Sequence, residues 1–277
     1  MRSLVRRKAG SILNLKKDDW YDFDGPRVVA YGVGTDSTAM LIEMVRRKLR
    51  VDLILFADVG GEKPHTYAFL PVFDRWLRSH GYPGVTVVEY FTRERRRLTL
   101  EQECLERGTL PSLAFGWKSC SLKHKVAPQD KFINHWLPAR QAWQDGKKVT
   151  KFIGFDCTEG RRCTYGGASP DQKKFIYRYP LIDWGLTRSD CIDIIEKEGL
   201  PQPGKSACFF CPAMKKPEIV ELAINHPDLF ERAIEMEERA QPRLTKVKGL
   251  GRRYSWKEFA DGNEDIPIRS RVTRNQG

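Results

Sequence analysis

The sequence predicts an α/β protein: a doubly wound, mostly parallel sheet with helices on both faces, followed by a helical C-terminal part. Three observations carry this. Short apolar runs at residues 27–31, 52–57 and 85–90 have the length and composition of buried strands. The segments between them space their apolar residues as helices do, and strands alternating with helices form parallel sheets. A glycine-rich turn, Gly32-Val33-Gly34-Thr35-Asp36-Ser37, joins the first strand to the first helix.

Taken in order, residues 1–24 are charged and irregular, a lead-in to the domain. Arg27-Val28-Val29-Ala30-Tyr31 is the first strand, and residues 38–48 form the helix after the turn. The second strand ends at Asp58. Pro64, preorganised for a first helical turn, opens a helix reaching His80. On it Phe69, Phe73 and Trp76 have the spacing of core residues rather than of a base-stacking platform. Residues 85–90 are the third strand, and residues 91–150 are less regular. Residues 151–156 form a later strand ending, like the second, in an acid. Tyr165-Gly166-Gly167-Ala168-Ser169-Pro170 is a loop. Thr187 suits the N-cap of a helix to Lys197, stopped by Gly199 and Pro201. Residues 217–239 make one or two helices. The division expected is a lead-in at 1–24, the α/β nucleotide domain at 25–200, a cysteine-containing helical region at 201–265 and a basic tail at 266–277.

The 277 residues carry a formal net charge of +12, which favours polyanions such as nucleotides, tRNA or DNA. The plain alternative is a basic surface with no such partner. Two concentrations stand out, residues 93–97 and residues 243–253. The seven cysteines are an odd number, and the basic N-terminus lacks the apolar stretch of a signal peptide. Both argue against a disulfide framework and for the cytoplasm. No apolar run is long enough to cross a bilayer, so no membrane partner is expected.

A strand, a glycine turn and a helix N-terminus make an anion site, because backbone N–H groups converge there with the positive end of the helix dipole. Thr35 and Ser37 add hydroxyl donors. Asp36 repels phosphate, which makes sense if it caps the helix or contacts a metal. The sequence has neither a Walker loop nor the full dinucleotide fingerprint.

The turn instead resembles the PP-loop of ATP pyrophosphatases, Ser-Gly-Gly-x-Asp-Ser, with Gly32 in place of the serine and Val33 in place of the first glycine. The stretch from Phe56-Ala57-Asp58-Val59-Gly60-Gly61 to Pro64-His65-Thr66 resembles a segment of phosphoadenosine phosphosulfate (PAPS) reductases, with His65 where that family has glutamate. Cys120-Ser121-Leu122-Lys123-His124-Lys125-Val126-Ala127-Pro128 and Gly204-Lys205-Ser206-Ala207-Cys208-Phe209-Phe210-Cys211-Pro212 look like the cysteine segments of PAPS-reductase-like proteins of bacteria and phages. Together the resemblance spans roughly residues 27–260 and points to the adenine nucleotide α-hydrolase superfamily. It implies that Gly32, Gly34, Thr35, Asp36 and Ser37 cradle the phosphates of ATP or a related adenine nucleotide. It also implies that Asp58 lies near the nucleotide or its Mg²⁺. Gly154, Asp156, Glu159 and Arg161 form a second polar cluster, where the arginine would bind phosphate unless this is an ordinary surface loop. Asp36 and Asp58 are the expected catalytic carboxylates.

Cys208 and Cys211 have metal-ligand spacing, and Cys120 is the third candidate ligand. By the resemblance, three cysteines would hold a [4Fe–4S] cluster with one iron open, as in sulfur-inserting enzymes. Zinc held by these three and His124, or buried inert thiols, are the alternatives. No cysteine follows Cys211, so the C-terminal nucleophile of true sulfonucleotide reductases is missing. The function expected is adenylation of an acceptor for sulfur transfer, with a sulfur donor protein as a further partner. The alternatives are a sulfonucleotide reductase and a non-catalytic nucleic-acid-binding protein. The stretch from Gly249 to Trp256 either turns Arg252 or Arg253 toward a ligand or packs Trp256 onto the core.

Overall fold

Five parallel strands form one sheet in the order β3-β2-β1-β4-β5: β1 (Arg27–Ala30), β2 (Leu53–Asp58), β3 (Val85–Glu89), β4 (Val149–Ile153) and β5 (Phe175–Arg178). The computed structural model describes residues 24–159 and 173–266. Around the sheet lie α1 (Thr35–Arg46), α2 (Pro64–Ser79), α3 (Leu100–Arg107), α4 (Ala127–His135), α5 (Leu137–Gln144), α6 (Pro180–Asp183), α7 (Arg188–Lys197), α8 (Lys216–Asn225), α9 (Pro227–Ala240) and α10 (Trp256–Asp261).

The central strands are mostly apolar because they are covered on both faces. On one side, Val29, Ile54 and Phe56 pack under Met40, Leu41 and Met44 of α1, Phe69 and Phe73 of α2, and Ile194 and Ile195 of α7. On the other, Val28, Leu53, Leu55 and Val149 meet Ile133 of α4 and Ala139 of α5. The chain steps from β1 outward through β2 to the edge strand β3, then returns to the far side of β1 to lay down β4. This is the doubly wound architecture expected. A third core joins α8, α9 and α10 to α3 and Val59, with Trp256 fully buried within it.

Several boundaries differ from expectation for identifiable reasons. Residues 91–150 are largely helical. α3 starts at a capping box in which Thr99 accepts from the Gln102 N–H and Gln102 reaches back to Thr99. α4 and α5 each carry proline in the first turn. β4 begins and ends earlier than residues 151–156, so Asp156 lies beyond the strand, next to the 3-10 turn Cys157–Glu159. Within β4, Lys151 is 4% exposed and pairs with Asp130, its ammonium 4.7 Å from the Phe175 ring centre. β5 was not expected. Residues 217–239 resolve into two helices, α8 and α9. The cap at Thr187 forms as expected, with Asp190 completing a capping box. Arg161, Cys163, the 165–170 loop, residues 1–23 of the lead-in and residues 267–277 of the tail lie outside the described residues. No helix among the described residues is long and apolar enough to cross a membrane.

Candidate active site

The strand order reverses between β1 and β4, and open α/β sheets bind ligands in the crevice at the carboxyl ends of the strands at such a point. The 32–37 turn leaves β1 into this crevice. Gly32 donates its N–H to Ser37 Oγ at 3.3 Å, and Ser37 Oγ donates to the Gly34 carbonyl at 3.2 Å. The Ser37 hydroxyl therefore closes the turn on itself, where the sequence suggested a donor to ligand. Gly34 is the N-cap of α1 and offers no side-chain cap, which leaves first-turn N–H groups to be met by a ligand. Val33 is held at φ +56° with its side chain fully buried. A β-branched residue in the left-handed region is strained by about 1–2 kcal/mol, and this is the position where the PP-loop pattern has glycine.

Gly154, just after β4, closes the other side. A Cβ there would sit 2.7 Å from Ser37 Cα and 2.9 Å from Ser37 N, so only glycine lets this backbone lie against the turn. Beyond it, Asp156 and Glu159 approach Asp36, the three offering carboxylate oxygens within 4.8 Å of one another. Asp36 does not cap the helix. Its Oδ2 accepts from Arg188 at 2.8 Å, while Oδ1 is buried without a hydrogen-bond partner. Burial is the main reason its carboxyl is pushed above the usual range. Asp156 and Glu159 add to this, and Arg188 opposes it. Asp156 Oδ1 accepts from the Thr158 N–H and hydroxyl. Arg188, in sequence an ordinary residue of the α7 helix, thus stands beside the trio.

Asp58 shares the strand-end edge but not this trio. It accepts from the Gly60 N–H at 2.8 Å and the Tyr67 hydroxyl at 2.7 Å, and pairs with Arg97 at 3.4 Å. Arg97 also bridges to Glu89 on β3.

The cysteine segment lies over the glycine turn. Residues 207–209 run beside residues 61–63, with Lys63 N–H donating to Ala207 O, Phe209 N–H donating to Gly61 O, and Glu62 bridged to Cys208. A Cβ on Gly34 would stand 3.5 Å from Ser206 Cβ. The Glu62 side chain is fully buried, pairs with Lys125 at 2.7 Å and accepts from Ser206 Oγ at 3.4 Å. Neither Glu62 nor Lys125 was singled out from the sequence, although both stand in the segments that carry the family resemblance.

Cys120, Cys208 and Cys211 come together from two distant segments. Burial is the largest influence on Cys208 and Cys211 and pushes both thiols up. Each is pushed further by its cysteine neighbours and drawn down by Lys125. The three sulfurs do not lie within 4.8 Å of one another: among the described residues, the acidic trio is the one such group of potential ligands. His124 turns its Nε2 to Glu103 at 2.7 Å. Cys104 is buried and pushed up to about 12, and Cys191 is buried in the core of α1 and α7. His80 and His135 each bond a carbonyl four residues earlier, of Trp76 and Lys131. A separate groove of about 550 Å³ runs along the edge strand, lined by Val87, Phe91, Pro128, Phe132, Trp136 and Leu137, with no residue of the turn or trio.

No protein-family model and no curated protein matches the chain. Among solved structures, it is similar to the U34-tRNA thiolase NcsA from Methanococcus maripaludis with its [4Fe-4S] cluster. That likeness has 12% identity and a TM-score of 0.41, over 82% of this chain and 76% of that one. So distant a likeness says nothing of substrate or cofactor in this chain.

Proposed function

We propose that this chain is a PP-loop-type enzyme that adenylates an acceptor with ATP and then exchanges the activated oxygen for sulfur. The observation that carries the reading is the contact between the phosphate turn and the cysteine segment at Gly34 and Ser206. A nucleotide whose phosphates sat on the turn would lie beside a group of thiols. In the first step an acceptor oxygen attacks the α-phosphorus, the bond to the pyrophosphate oxygen breaks and pyrophosphate leaves. In the second, a sulfur nucleophile forms a bond to the acceptor carbon, the carbon–oxygen bond breaks and AMP leaves. The chain's part is positioning and charge stabilisation. First-turn amides of α1 hold phosphate, and Gly154 keeps the crevice narrow.

The acidic trio suits Mg²⁺, which takes one or two carboxylates and shares the rest of its shell with water and phosphate. The unpartnered Oδ1 of Asp36 and the mutual repulsion of the three carboxylates fit a cation. Asp58, already saturated by Tyr67 and Arg97, is assigned to holding the strand end beside the site rather than to the metal. At the cysteine centre, zinc requires thiolates about 3.8 Å apart, from zinc–sulfur bonds of about 2.3 Å. The three sulfurs are not all within 4.8 Å of one another, which suits a [4Fe–4S] cluster better than a single zinc ion. Bound by Cys120, Cys208 and Cys211, it would supply sulfur delivery through an iron without a protein ligand.

Incubation with α-labelled ATP and pools of tRNA, DNA or metabolites is expected to release AMP and pyrophosphate; no turnover with any pool would defeat the reading. A thioredoxin-coupled assay on sulfonucleotides is expected to release no sulfite, since the last cysteine in the sequence is Cys211.

A further inference from the structure

We infer that the surface around Trp117 docks an unpaired stretch of nucleic acid, with the indole as a stacking platform and Arg107, Lys118, Lys123, Arg243 and Arg252 facing its phosphates. The inference rests on the cysteine centre being the place where an acceptor is modified, and it names the class of that acceptor.

Trp117 is 71% exposed, and it is the one exposed tryptophan among the described residues. Large aromatic side chains are usually mostly covered, and the exposed strip continues through Leu122 and Val126. The backbone of Trp117 is tied to that of Cys120 through Ser112. Trp117 N–H donates to Ser112 O at 3.1 Å, and Ser112 Oγ donates to Trp117 O at 3.2 Å while accepting from Cys120 N–H at 2.8 Å. One hydroxyl thus ties the platform to the candidate sulfur centre three residues away.

Cations ring this turn. Arg252 donates Nε to Ala114 O at 3.3 Å, and its Nη2 would lie 3.6 Å from a Cβ on Gly116, itself at φ +91°. Arg252 is held in the left-handed region at φ +66° by backbone bonds to Gly249 and Lys248. Such strain persists where the surroundings impose it, and it clusters at functional sites. Arg243 bonds the Arg107 carbonyl, and Arg107 and Lys123 share Glu103. Lys118 makes no ion pair among the described residues. Of these five cations, Arg107 and Lys123 pair with the same acid, Glu103, and the other three pair with no acid among the described residues. An exposed indole amid surplus positive charge matches a polymer offering both base faces and phosphates. A duplex keeps its base faces stacked inside, so the partner is single-stranded.

The test is fluorescence anisotropy with labelled 20-nucleotide oligo-U and oligo-dT, a blunt hairpin duplex, and polyglutamate as a competitor that carries charge alone. Single strands are expected to bind about tenfold or more tighter than the duplex, and Trp117→Ala to weaken them about fivefold or more, with Trp117→Phe restoring most of the loss. Arg252→Ala is expected to weaken all single strands alike and to flatten the dependence of log affinity on log salt by about 0.7. Equal binding of duplex, equal competition by polyglutamate, or unchanged affinity in both Trp117→Ala and Lys118→Ala would overturn the inference. Preference for RNA or DNA is read from the two oligonucleotides. Calorimetry with ATP separates this from the enzymatic reading. Trp117→Ala keeps ATP binding, and Asp36→Asn loses it while keeping oligonucleotide affinity. ATP turnover without single-strand binding sinks the docking surface alone, and the converse sinks the enzymatic reading alone.

Discussion

The phosphate turn and the cysteine centre lie against each other but are built by opposite means. The turn is built within one short run, from its backbone and the Ser37 hydroxyl. Its hydrogen bonds close within residues 32–38, and Gly154 presses on it at a distance no side chain allows. The cysteine centre is made of side chains from separate segments, with burial pushing the Cys208 and Cys211 thiols up and the three sulfurs not all within 4.8 Å of one another. On the proposed reading, a ligand meets a finished cradle in the first region and must complete the second. Anion recognition by backbone amides needs no proton release, whereas thiolate ligation does. The two regions should therefore respond separately to mutation.

The largest separation is expected from Gly154→Val. Displacing the turn by the overlap with Ser37 should weaken ATP binding by about a hundredfold, read by calorimetry, with iron content unchanged; affinity within a few-fold of the wild type would show that the turn is not the cradle. Cys208→Ser is the mirror image. Anaerobically purified protein should lose most of its iron and its visible absorbance, while ATP affinity stays within about twofold, as expected of sites that do not share ligands. Equal loss of ATP binding would mean that the two regions form one unit.

Glu62→Gln probes the joint between them. It leaves the Lys125 ammonium without its anionic partner beside buried thiols. Lys125 is about one-third exposed at its side chain, so the destabilisation is put at about 1–3 kcal/mol, below that of a wholly buried pair. Urea unfolding gives the value, and an unchanged midpoint would remove Glu62 from the joint. The smallest effect is a gain. The Asp36 carboxyl is raised by burial above its value in an unfolded chain. Stability is therefore complete below the ordinary carboxylate range and is lost as pH rises through the raised value. Asp36→Asn should then raise the melting temperature of the metal-free protein at pH 7 by about 1–3 °C, with no gain at pH 3. A loss of stability at pH 7 would show that the Arg188 pair outweighs the burial.

How much of this was legible in the sequence follows the same division. The run from β1 through the turn into α1 is local, and its apolar strand and glycines announced it. Thr187, as the cap of α7, was equally local. α3 was overlooked although Thr99 and Gln102 spell a capping box, and α4 and α5 although Pro128 and Pro138 mark their first turns. β4 was set two residues late because Lys151 reads as a surface residue until Asp130 and Phe175 are seen beside it. Glu62, Lys125, Arg188 and Ser206 could not be assigned from spacing, since each owes its role to a partner more than 60 residues away. The left-handed φ of Val33 follows from the turn's geometry and is hidden by its side chain.

The most direct test of the nucleotide cradle is the amide ¹H–¹⁵N spectrum titrated with Mg²⁺ and a non-hydrolysable ATP analogue. The largest shifts are expected at the N–H groups of Gly34, Thr35, Asp36 and Ser37 and at Gly154. Shifts confined to Val87, Phe91 and Leu137 along the edge-strand groove, or none at saturating analogue, would contradict the account.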